Sequence, residues 1–154
     1  MKRFAIISLV TLIAFTIHTS VAYTEIAPGL IANMKKKAPE VFKVEIRKVT
    51  QADTTMPSGR INVAYETKVL EVLRSKSGVK VGDTITIETY YLHPNPKTPE
   101  EVAGVLSDIL GPKHPVLLSK QWKGKVYLHS PRADKKFKIA VFGRSFEREK
   151  KKGR

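Results

Sequence analysis

The sequence predicts a mainly β protein, a small closed or half-closed barrel of five to six strands with one α-helix inserted late, at about 98–110. Three observations carry this. Several segments alternate apolar and polar residues with a period of two. One of them slips phase midway, the mark of a bulge that bends a sheet. A single later segment has a clear helix start, a helical stripe and a stop. The length, 154 residues, suits one domain, and a hydrophobic content of 42% is enough for a packed core.

The first segment reads as an address rather than as structure. Lys2 and Arg3 precede an apolar run, Phe4–Ile17, that closes in Ser20-Val21-Ala22. A charged start, a short apolar stretch and a small-x-small site define a secretory signal peptide, expected to be cleaved after Ala22. The run is too short for a membrane span. Residues 23–40 form a lead-in with Pro28-Gly29 and the run Lys35-Lys36-Lys37, with room for one or two helical turns around Leu30–Lys37.

Strand patterning begins at Val41. Phe42, Val44 and Ile46 alternate with Lys43, Glu45 and Arg47, and Thr50–Gly59 is a polar turn region. Ile61, Val63 and Tyr65 open a long strand whose apolar phase slips, so that Leu70 and Val72 are expected to carry it on. Ser77-Gly78 and Gly82-Asp83 make turns. In the next strand, Ile85, Ile87, Thr89 and Tyr91 share one face, and Thr84, Thr86, Glu88 and Tyr90 the other. His93-Pro94-Asn95-Pro96 stops it, because proline cannot donate to a ladder.

Thr98-Pro99-Glu100-Glu101 then reads as a helix start, with Thr98 as cap, Pro99 at the first helical position and Glu101 completing a capping box. Val102, Val105, Leu106, Ile109 and Leu110 form one apolar stripe, and Gly111-Pro112 ends it. Strands are expected at Val116–Leu118, Lys125–Leu128 and Phe137–Phe142, which completes a domain over 41–146. Residues 147–154 hold five basic and two acidic groups and no apolar one, and read as a disordered basic tail.

The run Tyr65–Thr89, with Val-Gly-Asp before its second strand, resembles the strand-turn-strand unit of secreted OB-fold domains of the TIMP/netrin-like type. Pro115-Val116-Leu117-Leu118 and Gly124-Lys125-Val126-Tyr127-Leu128 match the later part of that pattern. The resemblance covers roughly 41–142 and implies a five-stranded OB-like barrel, with no function attached to the fold itself. The animal inhibitors of that family chelate a protease zinc through an N-terminal cysteine, and disulfides hold their domain together. This chain has no cysteine and an expected mature N-terminus at Tyr23, so protease inhibition does not transfer.

The absence of cysteine also excludes a disulfide scaffold, a thiol nucleophile and a Cys-ligated zinc. Combined with export it points to a bacterial, periplasmic setting. His93, His114 and His129 follow the signal, but their separations of 21 and 15 residues lack ligand spacing, so no metal site is expected. Gly143-Arg144-Ser145-Phe146 lacks the second glycine of a nucleophile elbow, and no Gly-rich phosphate loop or H-E-x-x-H is present. Glu100 and Glu101 are explained by helix capping. A non-catalytic protein without a cofactor is the expectation.

Charge is the remaining lead. Lys and Arg number 28 against 14 Asp and Glu, a net +14 that falls to +12 when Lys2 and Arg3 are removed. On an OB-like strand face, aromatics stack and cations track a polymer backbone. The aromatic candidates are Tyr90, Tyr91, Trp122, Tyr127 and Phe137, and the cations are Lys43, Arg47, Arg60, Lys68, Lys138 and Arg144. Most of these aromatics alternate as core residues do. Tyr90 stands out because it lies on the face opposite Ile85 and Ile87, although Glu88 beside it opposes a polyanion. Of these, Tyr90, Trp122, Lys43, Arg47, Lys68, Lys138 and Arg144 are the expected ligand-binding set. An exported protein rarely meets nucleic acid, so the expected partner is an envelope polyanion or acidic lipid headgroup, contacted also by Lys35–Lys37 and the basic tail. The alternative is a periplasmic adaptor that docks a protein partner, and a third class, a small hydrolase or metal-dependent enzyme, requires the three histidines or Glu88, Asp83 and Asp108 to converge in one cleft.

Overall fold

The computed structural model describes residues 27–52, 56, 59–103, 115–131 and 135–148. The expected signal segment, residues 104–114 of the helix and turn, and the end of the tail lie outside them.

The mainly β expectation holds. Among the described residues, six strands, β1 (Glu40–Gln51), β2 (Arg60–Arg74), β3 (Thr84–Leu92), β4 (Lys123–Leu128), β5 (Lys136–Lys138) and β6 (Phe146–Arg148), form one mixed sheet. Their order is β5-β3-β2-β1-β4-β6, with β3 and β5 parallel and every other pair antiparallel. One isolated antiparallel bridge, Leu128 to Ile139, joins the chain just after β5 to β4. It is held by His129 N–H on Lys138 O and Ala140 N–H on Tyr127 O, at 2.9 and 3.0 Å.

The core is the inward side of this sheet. Phe42, Val44 and Ile46 of β1 meet Val63, Tyr65 and Val69 of β2, Ile85 and Ile87 of β3, Val126 and Leu128 of β4, and Phe137 of β5. Each strand contributes alternate residues because successive side chains leave opposite faces of the pleat. Tyr65 is fully buried. Its hydroxyl oxygen accepts the Leu118 N–H at 2.9 Å, and burial pushes its pKa up.

The bulge is real, but it falls later than the sequence suggests. Thr67 and Val69 keep the inward phase of β2, and Leu70 is 39% exposed rather than core. Against β1, the register skips Leu70, Leu73 and, on the other strand, Arg47. An extra residue at each point is absorbed by local twist. A second departure concerns Val116–Leu118, which forms no strand. Its backbone is tied instead by Leu118 N–H to Tyr65, and the turn after it by Gln121 N–H to Ile46 O. The strand expected over Phe137–Phe142 ends at Lys138 and gives way to a 3-10 turn, Phe142–Ser145.

Helix α1 (Pro28–Lys37) occupies the lead-in, with proline in its first turn and three lysines in its last, where cations suit the helix dipole. Ile31 and Met34 pack on a second cluster of Ala38, Val41, Ala140 and Val141, on the outer side of the sheet. Residues 99–103 are helical, and both halves of the capping box are made. Glu101 N–H donates to Thr98 Oγ1 at 3.1 Å, and Thr98 N–H to Glu101 Oε2 at 3.2 Å. The basic tail starts later than residue 147, since Glu147 and Arg148 belong to β6 and pair with Lys125 and Gly124.

Candidate functional site

Because Val63, Tyr65 and Ile87 face the core, Asn62, Ala64, Glu88 and Tyr90 lie on the opposite face of β2 and β3. The register sets Asn62 beside Tyr90 and Ala64 beside Glu88, and Glu88 beside Lys138 of β5. These five side chains, with Thr50 and Gln51 at the end of β1, line an open groove of about 620 Å³. Ala64 is the small residue of that row.

Chemically the groove is mixed. The Tyr90 ring is half-buried and has the Arg60 guanidinium 4.6 Å from its centroid. Such a cation over an aromatic face is favourable and holds the ring in place. Glu88 has Lys136 at 3.9 Å, so its charge is countered from β5. Tyr91 Oη donates to Gln51 Oε1 at 2.9 Å, which fixes the amide at the rim. Thr89 Oγ1 is buried in the groove wall and has no hydrogen-bond partner among the described residues.

Of the seven expected ligand-binding residues, Tyr90 and Lys138 come together here. Lys43, Arg47 and Lys68 lie further along the sheet, among acidic neighbours. Lys43 pairs with Glu71 at 2.5 Å, Arg47 with Glu45 at 2.9 Å, and Lys68 sits opposite Glu45 in the register. Arg144 is exposed on the 3-10 turn. Trp122 packs on the core, edge-on to Phe146 at 5.9 Å, with its ring over Gly124. Phe137 is fully buried, and Tyr127 donates to Glu147. Asn62, Ala64 and Gln51 were not singled out by sequence, because only the pairing register brings them beside Tyr90.

His93 accepts the Asn95 N–H through Nδ1 at 3.0 Å, a turn contact at the end of β3, and His114 lies outside the described residues. Among the described residues, no group of three or more His, Asp or Glu is placed to hold a metal ion. No helix among them is long and apolar enough to cross a membrane. In comparisons with known proteins, no family model matches the chain, and no curated protein is similar to it.

Proposed function

We propose that this chain is an exported, non-catalytic binding module of the cell envelope, built on an OB-like barrel and contacting an anionic polymer along the β2–β3–β5 face. The barrel reading is supported by connectivity. β3 pairs in parallel with β5, and the Leu128–Ile139 bridge brings the chain just after β5 to β4, the connection that a barrel closed through β5 and β4 needs. The free edge of β4 is then shared between Ile139 and β6. Export is supported by Lys2-Arg3, the apolar run and Ser20-Val21-Ala22.

The observation that carries the binding reading is the groove that Tyr90, with the Arg60 guanidinium over its ring, lines together with Lys138. Two cations, one of them held over the Tyr90 ring, suit a polymer with closely spaced anionic groups, and Tyr90 acts by positioning Arg60. The net charge, +12 once Lys2 and Arg3 leave with the signal segment, adds long-range attraction. Titration with a short linear polyphosphate tests this. Tyr90→Ala and Lys138→Glu are each expected to weaken binding about tenfold, with a steep salt dependence. Binding unaltered by both substitutions overturns the assignment to this face.

A further inference from the structure

A different end of the sheet carries exposed apolar residues beside two lysine-bearing segments. Leu70 and Leu73 are the two residues that the β1–β2 register skips. In a bulge, both residues opposite a single partner leave the same side of the strand. Leu70 therefore joins Glu71 on the outer face, and Leu73 joins Arg74. They are 39% and 42% exposed. Gly82 N–H donates to Val69 O and Val69 N–H to Asp83 O, each at 2.9 Å, so the turn residue Val81 lies alongside, 64% exposed.

The charged side chains on the neighbouring segments are mostly positive, and the backbone that carries them is held in place. The Arg74 guanidinium donates to Lys36 O and Ala38 O at 2.7 Å, which brings the lysine-rich end of α1 to the same edge. Lys76 N–H and Ser77 Oγ–H both donate to the buried Glu40 carboxylate at 3.0 Å, so the β2–β3 turn carrying Lys76 and Lys80 is tethered. The two other acids beside it, Glu71 and Asp83, are engaged as well. Glu71 pairs with Lys43, and Asp83 Oδ2 accepts the Lys80 N–H at 3.1 Å.

We propose that this tip, formed by Leu70, Leu73 and Val81 with Lys36, Lys37, Lys76 and Lys80 around it, docks on an anionic lipid bilayer. The occupant follows from charge complementarity. Apolar side chains at the centre enter the boundary between headgroups and acyl chains, while flexible lysines at the rim meet lipid phosphates. This surface is separate from the groove at Tyr90, and neither proposal depends on the other.

Since the chain has no cysteine, a single Val81→Cys or Asn62→Cys carries one polarity-sensitive fluorophore in the otherwise intact protein. With vesicles of equal phosphatidylglycerol and phosphatidylcholine, the Val81 reporter is expected to shift to the blue, and the Asn62 reporter in the groove is not. Phosphatidylcholine alone or high salt removes the shift. Leu70→Asp with Leu73→Asp is expected to weaken vesicle binding about tenfold or more. Unchanged Trp122 emission shows that this variant is folded. If it is not, Lys76→Glu with Lys80→Glu is read instead, on exposed side chains of the turn. Equal shifts at both reporters, no shift at either, or binding untouched by these substitutions overturns the proposal.

Discussion

The Tyr127 hydroxyl donates to Glu147 Oε2 at 3.0 Å, and the Lys35 ammonium pairs with Oε1 of the same carboxylate while standing 5.3 Å from the tyrosine ring. One half-buried triad thereby ties α1, β4 and β6 together. Burial, then the bond to Glu147, pushes the Tyr127 hydroxyl from an ordinary 10.0 up to about 12. Burial acts to raise the Glu147 carboxyl, but the hydrogen bonds from Lys35 and Tyr127 outweigh it and hold it below its usual 4.5.

The signs of these shifts set a pH dependence. The neutral phenol is favoured in the folded chain, so its contribution is full below pH 10 and lost as pH rises through about 12. Glu147 contributes above pH 4.5, and its share is lost as the pH falls through its lowered value. Thermal unfolding of Tyr127→Phe should show a loss of about 1 kcal/mol at neutral pH. Its deficit against the parent protein should shrink between pH 10 and 12. A deficit that stays constant through that window contradicts the assignment.

Gly124 is the point where β6 and Trp122 both cross β4. A Cβ there would stand 2.2 Å from Glu147 O and 2.5 Å from the Trp122 ring. Both distances are shorter than a Cβ tolerates, so one neighbour must shift. Gly124→Ala is expected to cost about 2–3 kcal/mol by overpacking, and to displace either β6 or the indole. Trp122 is the sole tryptophan, so a red-shifted emission reports the second outcome directly.

Tyr65→Phe keeps the ring in the core and removes the acceptor of the Leu118 N–H. A loss of about 1–2 kcal/mol is expected, together with faster amide exchange at Leu118. Unchanged exchange there shows that the segment 115–119 is held by other contacts.

Glu40 is fully buried, with each carboxylate oxygen accepting one bond from the β2–β3 turn. Glu40→Ala leaves the Lys76 N–H and the Ser77 hydroxyl without their acceptor, at a cost of about 2–4 kcal/mol. Loosening should be concentrated at 75–83, visible as protease sensitivity of that turn before the rest of the chain.

Much of the sheet was legible because its signal is local. The alternation of Ile85 and Ile87 with Thr86 and Glu88 gave β3 its two faces, and Thr98 with Glu101 gave the helix start. The position of the bulge was not legible. Thr67 is polar yet buried, satisfied by donating to Ile85 O at 3.2 Å, so the apolar pattern breaks before the backbone does. Val116–Leu118 looked like a strand by composition, but backbone pairing is decided by what lies opposite, and there Tyr65 offers a side chain. Glu147 read as tail because every residue after it is charged or glycine; its partners Lys35 and Tyr127 are distant in sequence. The groove shows the same divide. Tyr90 was legible from its phase in β3, whereas Asn62 and Gln51 reach it only through register.

The central claim is that the outer face around Tyr90 binds an anionic polymer. An amide NMR titration of the protein with short polyphosphate at two salt concentrations tests it most directly. Salt-sensitive shifts confined to Asn62, Ala64, Glu88–Tyr90 and Lys138 are the predicted result. Shifts restricted to the terminal lysines and arginines, or none on this face at the lower salt, contradict it.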